Sequence, residues 1–426
     1  MAFEKTANRK EIRAWALYDW ANSAFTTLIL TFVFGTYFTQ SVAADPITGA
    51  SQWSYAIAIS GFVLLFLGPV CGAIADHTGR LKSWILAGGV LCLAGTALLF
   101  FGVPKSDAQT IFIVLAGLVI ANIGFELAIV FYNSLLSKVA APSQLGRVSS
   151  YGWALGYAGG LISLVCVLLL FIGIGGIDPF IELPKENALH IRSVAPFTIF
   201  WFAVFALPLF LFVPDRSPVS ISIREALRRG SVSLKAGFAN LLVDKPWRNF
   251  LIGSAFYRDG LNTLFAMGGI YAAQKYNLET SDILLFGIGM NVTAGAGAYA
   301  ASFIEDRAGS FRVVRFSLIS LLLAGAFVLF AQNQLHFFIA ALSLGFFVGP
   351  VQSASRTIVT RLSTPDVSAE NYGFYALTGR AAAFLGPFCY AMATDLFKDQ
   401  TAGLATILFF WMLGFAFIYK LDDRHD

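Results

Sequence analysis

Residues 14–39 of the chain read AWALYDWANSAFTTLILTFVFGTYFT, and the interpretation of every other segment depends on this stretch. A transmembrane helix needs about 20 consecutive, mainly apolar residues, so the stretch is long enough to cross a bilayer. Asp19 and Asn22 lie inside it, three residues apart and therefore on one helical face. A carboxylate inside a spanning helix is costly, and it usually faces a cavity or a partner. The stretch therefore predicts a first transmembrane helix with a functional polar face.

The same arrangement returns later in the chain, where residues 255–263 read AFYRDGLNT. Asp259 and Asn262 repeat the spacing of Asp19 and Asn22 at an offset of 240 residues (259 − 19). Two further pairs of segments match in the same order: DHTGRLK at 76–82 with DRAGSFR at 306–312, and SYGW at 150–153 with NYGF at 371–374. These matches predict a parallel duplication of a six-helix unit, the layout of secondary transporters that rock two halves around a central site.

The composition indicates a polytopic membrane protein. Of the 426 residues, 57% are hydrophobic and only 13% are charged, whereas about 25% of the residues in soluble domains are charged. The net charge of +4 is too small to suggest a nucleic-acid partner. The four cysteines lie singly in apolar segments, so we expect no metal or disulfide, and no other cofactor.

Twelve apolar segments predict an all-α protein with twelve transmembrane helices in two pseudo-symmetric six-helix bundles. The basic stretch 214–246 separates them, so we expect an N-terminal bundle at 1–213, a cytoplasmic linker at 214–246 and a C-terminal bundle at 247–426. Within the linker, residues 221–229 form a short basic amphipathic pattern that predicts a helix on the anionic inner leaflet. The twelve segments are 14–40, 52–75, 83–103, 109–134, 149–172, 193–213, 247–273, 280–304, 312–331, 334–355, 369–394 and 400–420.

The distribution of Lys and Arg predicts the orientation of the chain in the membrane. Of the 29 basic residues, 22 fall on the side of the two termini, five on the other side and two within segments. Because cytoplasmic loops carry the excess of Lys and Arg, we expect both termini in the cytoplasm. A bacterial inner membrane is the predicted location.

Short motifs carry a resemblance to a known family. Residues 72–82, GAIADHTGRLK, resemble the loop signature of the major facilitator superfamily. With YDWANS at 18–23, QSASR at 352–356 and YGFYALTGR at 372–380, the chain looks like a bacterial-type member of the family related to the autophagy-linked vacuolar amino-acid exporter. The resemblance implies twelve helices, alternating access and export of amino acids.

The resemblance also implies that helices one, four, seven and ten line a central cavity, where intramembrane polar residues would bind substrate or protons. Arg258 or Arg380 would hold a substrate carboxylate, because a guanidinium is always charged and offers a planar fork. Glu126, Asp19 or Asp259 would accept an amino group or carry a proton. The alternative is that these charges form ion pairs that only join helices. The full candidate set is Asp19, Asn22, Asn122, Glu126, Tyr257, Arg258, Asp259, Asn262, Gln352, Ser355 and Arg380.

By analogy with the superfamily, the two copies of the loop signature are expected to gate the transporter. Gly79 permits the tight turn between helices, and Asp76 would pair across the halves with a base such as Arg147. A solvated loop is the alternative. The gating candidates are Asp76, Gly79, Arg80, Lys82, Asp306 and Gly309.

The sequence therefore predicts a secondary active transporter that works by alternating access, most simply a proton-linked exporter of amino acids or similar zwitterions. No nucleophile–base pair or Walker A motif is present, so neither an enzyme nor an ATP-driven pump is expected. The alternatives are a carrier of another small organic anion, and a membrane sensor or scaffold that no longer transports. The expected partners are a small-molecule substrate and the lipid bilayer, and the expected functional unit is a monomer.

Overall fold

The fold was analysed in a computed structural model, which describes residues 8–173, 178–215, 223–276, 280–364 and 367–422. Six long helices make up the first part of the chain, and the longest connection among them, between the fifth and the sixth, contains short helices at Glu186–Ala188 and Leu189–Arg192. The first long helix, α1, begins as a regular helix over Arg9–Ala24 and then widens into π-helical turns at Phe25–Phe32 and Phe38–Val42. The helices are α1 Arg9–Val42, α2 Pro46–Thr78, α3 Leu81–Leu99, α4 Ala108–Ser134, α5 Leu145–Val167 and α6 Val194–Phe212.

Six more long helices follow a linker helix that runs over Ile223–Val243. The eleventh is interrupted between Ala382 and Leu385, so it consists of two shorter helices. The helices are α7 Lys245–Tyr276, α8 Thr280–Ala308, α9 Ser310–Phe330, α10 Gln334–Leu362, α11 Ser368–Ala382 with Leu385–Phe397, and α12 Gln400–Ile418.

The helical architecture confirms the predicted fold class. Within the described residues, α1 to α6, α9, α10 and α12 are long and apolar enough to cross a membrane by length and composition. Most boundaries differ from the prediction by a few residues, and two of the differences affect the interpretation. The helix predicted to end at 355 continues to Leu362, and the linker helix extends to Val243 instead of ending at 229. The division at 214–246 into two bundles stays a prediction.

Small residues set the distance between packed helices. Gly95 of α3 lies so close to α4 that a side chain there would meet the backbone of Gly117 and Ala121. Likewise, a side chain at Gly297 of α8 would meet the backbone carbonyl of Phe346 in α10. Small residues at such crossings let helix backbones approach closely, and the van der Waals contacts that result hold helices together in a bilayer. Each crossing therefore joins helices of the same six-helix set.

The first six and the last six helices meet on the side where α1 begins and α12 ends, which we call the terminal side. There α2 packs along α11, and α5 packs along α8. Gly68 and Gly72 of α2 lie against Gly373 and Ala369 of α11. The structure is therefore closed between the two helix sets on the terminal side.

Candidate substrate-binding cavity

A cavity of about 430 Å³ lies between the two helix sets, directly next to the closed terminal side. Its volume is within the range of about 300–1,000 Å³ that is typical of small-molecule sites. Most of its lining from α1 is contributed by Asp19, Asn22 and the first π-helical turns, and such π-helical turns often occur at functional sites. The charged and amide side chains in the lining are Asp19, Asn22, Glu126, Asn133, Arg258, Asn262, Asn291, Gln352 and Arg356, and the hydroxyl groups are those of Ser23, Thr26, Thr27, Tyr157 and Tyr375.

Arg356 of α10 forms the most buried charged contact of the cavity wall. It is only 3% exposed, and its Nη1 donates to Asp19 Oδ2 at 2.8 Å. Its Nε donates to Ser149 Oγ of α5 at 3.0 Å, and its guanidinium lies 4.8 Å from the centre of the Trp15 ring. Because Arg356 comes from the last six helices and its partners from the first six, this network joins the two sets.

Glu126 of α4 and Arg380 of α11 form a second ion pair between the two helix sets. Both side chains are about one-quarter exposed (24% and 27%), and Glu126 lines the cavity. The pair is therefore reachable from the cavity, in contrast to the buried contact of Arg356. Protonation of Glu126 would remove its charge and weaken its attraction to Arg380.

The guanidinium of Arg258 in α7 faces the cavity, and the groups that hold it in place are neutral. Its Nη1 donates to the carbonyl oxygen of Tyr375 at 2.9 Å, and its guanidinium lies 4.0 Å from the centre of the Tyr375 ring. Among the residues that the structure describes, no carboxylate lies within ion-pair distance of Arg258. Its positive charge is therefore available to an anionic group in the cavity.

The remaining predicted binding residues lie in contacts between helices, away from the cavity lining. Asn122 donates to Ser60 Oγ at 2.6 Å, which joins α4 to α2. Tyr257 and Ser355 share a hydrogen bond of 2.6 Å between α7 and α10. Asp259 accepts the backbone N–H of Gly386 at 2.7 Å, at the point where α11 restarts after its interruption. In this conformation, the lining combines the predicted residues Asp19, Asn22, Glu126, Arg258, Asn262 and Gln352.

The two predicted gating aspartates make reciprocal contacts across the helix sets. Asp76, near the end of α2, accepts the backbone N–H of Glu370 at the start of α11, at 2.9 Å. Asp306, near the end of α8, accepts the N–H groups of Gly146 and Arg147 at the start of α5, at 2.7 and 2.9 Å. The N-terminal end of a helix favours a negative charge, so each aspartate stabilises the closed terminal side.

One expected partner was wrong. Asp76 reaches the start of α11, whereas Arg147 belongs to the same helix set as Asp76 and its backbone binds Asp306. The reason is that a helix N-terminus offers unpaired N–H donors that bind a carboxylate.

The other predicted gating residues shape the ends of helices. Gly79 and Gly309 have φ of 67° and 92°, which a residue with a Cβ adopts only with strain. Lys82 donates from Nζ to the carbonyl oxygens of Phe210 and Val213, at 2.8 and 2.7 Å, so it binds the end of α6 within its own helix set. Arg80 is exposed immediately before α3.

Sequence reasoning missed Arg356, Asn133, Tyr157 and Asn291. Arg356 lies one residue beyond the predicted tenth segment, which ends at 355, so the hydropathy pattern assigns it to a loop. Its position in the quoted motif QSASR was the one available signal. The other three stand alone in apolar or loop-like stretches, and only the packed helices bring them to the cavity.

Comparison with known proteins shows that the chain is similar to transporters in both sequence and fold. Residues 40–425 match the family model described as vacuole effluxer Atg22 like. An uncharacterized MFS-type transporter of Bacillus subtilis, YxiO, is 25% identical over 97% of this chain and 95% of its own. Autophagy-related protein 22 of Cryptococcus neoformans is 22% identical over 65% of this chain and 49% of its own. The fold resembles that of the E. coli fucose:proton symporter FucP, with a TM-score of 0.74 at 14% identity over 96% of this chain and 97% of that one.

Proposed function

Because the chain belongs to the Atg22-like family of major facilitator transporters, we propose that it exports amino acids or similar small zwitterions in exchange for, or together with, protons. Secondary transport of a small solute across a membrane follows from the family itself. The identity of the solute, the direction of flux and the coupling to protons are the proposed parts. The proposal places the terminal side in the cytoplasm of a bacterium, with a monomer as the working unit.

The observation that carries the proposal is the guanidinium of Arg258, which faces the cavity with no carboxylate partner among the described residues. A substrate carboxylate would accept hydrogen bonds from it, in the geometry that arginine offers to planar anions. Asp19 and Glu126 line the same cavity, and each carboxylate, although paired with an arginine, has lone pairs left to accept a hydrogen bond from a substrate ammonium group. A zwitterion satisfies both ends of this arrangement, whereas a simple anion satisfies only one.

Glu126 supports the proposed coupling to protons. Its ion pair with Arg380 bridges α4 and α11, which belong to different helix sets, and it is partly exposed to the cavity. A proton on Glu126 would release Arg380 and weaken one link between the sets. Loading and unloading of this proton would thereby be linked to the rocking movement.

Replacement of Arg258 by lysine is expected to weaken substrate binding by about 10-fold or more, because lysine keeps the charge but loses the planar fork of donors. The measurement is counterflow in proteoliposomes that are preloaded in turn with amino acids and small organic anions. Counterflow needs only binding and alternation, so it does not depend on the coupling ion.

The matched control for this prediction is Arg192→Lys. Arg192 also donates to a carbonyl, that of Phe100 at 2.7 Å, and also lies over an aromatic ring, but it is outside the cavity. We expect the half-saturation concentration for substrate counterflow in the Arg192→Lys variant to match that of the unmodified protein. An unchanged half-saturation concentration in Arg258→Lys would contradict the assignment of Arg258 to the substrate carboxylate.

The substitution Glu126→Gln is expected to abolish accumulation driven by a pH gradient and to leave exchange intact, because glutamine cannot carry the proton. Uptake driven by an imposed pH gradient is compared with counterflow of the same substrate, and Glu225→Gln on the exposed linker helix serves as the control. Gradient-driven accumulation at the unmodified level would exclude Glu126 as the proton site.

A carrier of another small organic anion is the second candidate, because the guanidinium of Arg258 would bind a phosphate as well as a carboxylate. The same counterflow panel separates the two. A signal for amino acids supports the zwitterion, and a signal confined to anions without an amino group supports the second candidate. If folded protein shows no counterflow with any compound of the panel, the result would favour a sensor or scaffold.

A further inference from the structure

A basic pocket of about 560 Å³ lies on the terminal side, where α1, α5 and α8 meet. Arg9 and Arg13 enter it from α1, one helical turn apart, and Arg147 enters it from the start of α5. All three side chains are exposed, and none has a carboxylate within ion-pair distance among the described residues. Three guanidinium groups around one pocket favour an anion with several oxygens, and phosphate is the anion that arginine binds in this way.

An apolar groove of about 380 Å³ continues from the basic pocket between α5 and α8. The pocket and the groove share Tyr151 and Tyr299 in their linings. Farther along, the groove is lined by small residues, among them Ala154, Ala158 and Gly295, which leave an open channel between the two helices. Its volume and mainly apolar lining suit a hydrocarbon chain.

We propose that an anionic phospholipid binds at this seam, with its phosphate among Arg9, Arg13 and Arg147 and an acyl chain in the groove between α5 and α8. Basic pockets between transmembrane helices are known to bind anionic lipid headgroups. Tyr151 and Tyr299 lie at the junction, where an amphipathic ring contacts both the headgroup region and the hydrocarbon. A free phosphate would occupy only the basic pocket, so the adjoining groove assigns the site to a lipid.

The bound lipid would stabilise the structure that is closed on the terminal side. Helices α1 and α5 belong to the first six helices and α8 to the last six, so the complete site exists only while the two sets are in contact there. A ligand that binds one conformation better than another increases the population of the first. The lipid therefore acts on the equilibrium of the transport cycle and not on the substrate cavity.

Arg228 and Arg229 of the linker helix provide a matched control on the same side of the protein. Both donate to Glu225, at 2.8 and 2.7 Å, and these hydrogen bonds lower the pKa of the Glu225 carboxyl to about 2. Their charges are therefore already paired at hydrogen-bond distance, whereas Arg13 and Arg147 have no carboxylate within ion-pair distance among the described residues. Replacement of Arg228 and Arg229 changes the net charge of the protein by the same amount as replacement of Arg13 and Arg147.

The test is native mass spectrometry of the delipidated full chain, titrated with phosphatidylglycerol, phosphatidylcholine or inorganic phosphate. We expect one tightly bound phosphatidylglycerol. The double substitution Arg13→Gln/Arg147→Gln should weaken its binding by about 30-fold, since each arginine beside a lipid headgroup contributes a factor of about 5. Arg228→Gln/Arg229→Gln should leave the affinity unchanged. Ala158→Phe, which fills the groove and removes no charge, should also weaken lipid binding.

Several results would overturn the proposal. These are equal affinities for phosphatidylglycerol and phosphatidylcholine, equal losses in the two arginine double variants, and displacement of the lipid by inorganic phosphate at equal concentration. An unchanged affinity in Ala158→Phe would show that no acyl chain occupies the groove, and this too would overturn it. Circular dichroism and size-exclusion chromatography establish that each variant is folded. Because no transport is measured, the outcome is independent of the proposed substrate.

Discussion

Replacement of Arg356 by methionine is expected to open the terminal side and to stop net transport. The substitution leaves Asp19, which is only 9% exposed, without its partner at 2.8 Å. Removal of one partner of a buried ion pair typically costs about 3–5 kcal/mol. Because the contact joins the two helix sets, the cost falls on the closed conformation, whose population relative to the open one should drop by about 100-fold or more.

The measurement is the distance between spin labels on opposite helix sets, at Gln144→Cys and Arg312→Cys, both exposed on the terminal side. We expect the short distance to dominate in the parent protein and a longer one to appear with Arg356→Met. The double variant Asp19→Asn/Arg356→Met is the control, because it removes the unpaired carboxylate and should recover much of the short distance. Identical distance distributions in the parent and in Arg356→Met would show that this contact does not hold the terminal side closed.

Replacement of Gly95 by leucine is expected to destabilise the packing of α3 on α4 by about 3 kcal/mol or more. Overpacking typically costs 1–3 kcal/mol, and here the new side chain would meet the backbone of Gly117 and Ala121, which cannot rotate away. The yield of monodisperse protein and the melting temperature in detergent should both fall. These two quantities are measured by fluorescence-detected size-exclusion chromatography and by thermal unfolding.

Gly89→Leu is the matched control on the same helix. A Cβ at Gly89 would meet nothing within 4 Å, so leucine there extends into free space. Yield and melting temperature should stay at the parent values. A similar loss in both variants would mean that the effect comes from leucine in α3 in general and not from its close approach to α4.

The helices of this protein were predictable because the bilayer imposes length and polarity on each of them. The duplicated Asp–Asn spacing at positions 19 and 22 and at 259 and 262 indicated two similar halves. The same spacing could not show which side chains face the cavity. Asp19 and Asn22 line it, whereas Asp259 turns to the backbone of Gly386. The equivalent positions 19 and 259 therefore have different contacts, because the interruption of α11 exposes the backbone N–H of Gly386 to Asp259.

Pairings between distant helices were beyond the reach of the sequence. Glu126 and Arg380 were each identified as intramembrane charges, but nothing local indicates that α4 and α11 place them together. Arg356 was overlooked because hydropathy declines before it, although its helix continues to Leu362. A window of apolar residues detects the lipid-facing length of a helix. It does not detect an end that is buried in protein, where polar residues are satisfied by neighbours.

The reciprocal contacts of Asp76 with α11 and of Asp306 with α5 have a consequence for the speed of the transport cycle. If each helix set moves as a unit, both contacts break in the same step, and their free energies contribute to one activation barrier. A hydrogen bond to a charged group contributes about 1.5–3 kcal/mol, so weakening either contact would accelerate opening by roughly 10- to 100-fold. The rate of alternation is therefore adjustable from either half of the chain without any change in the cavity.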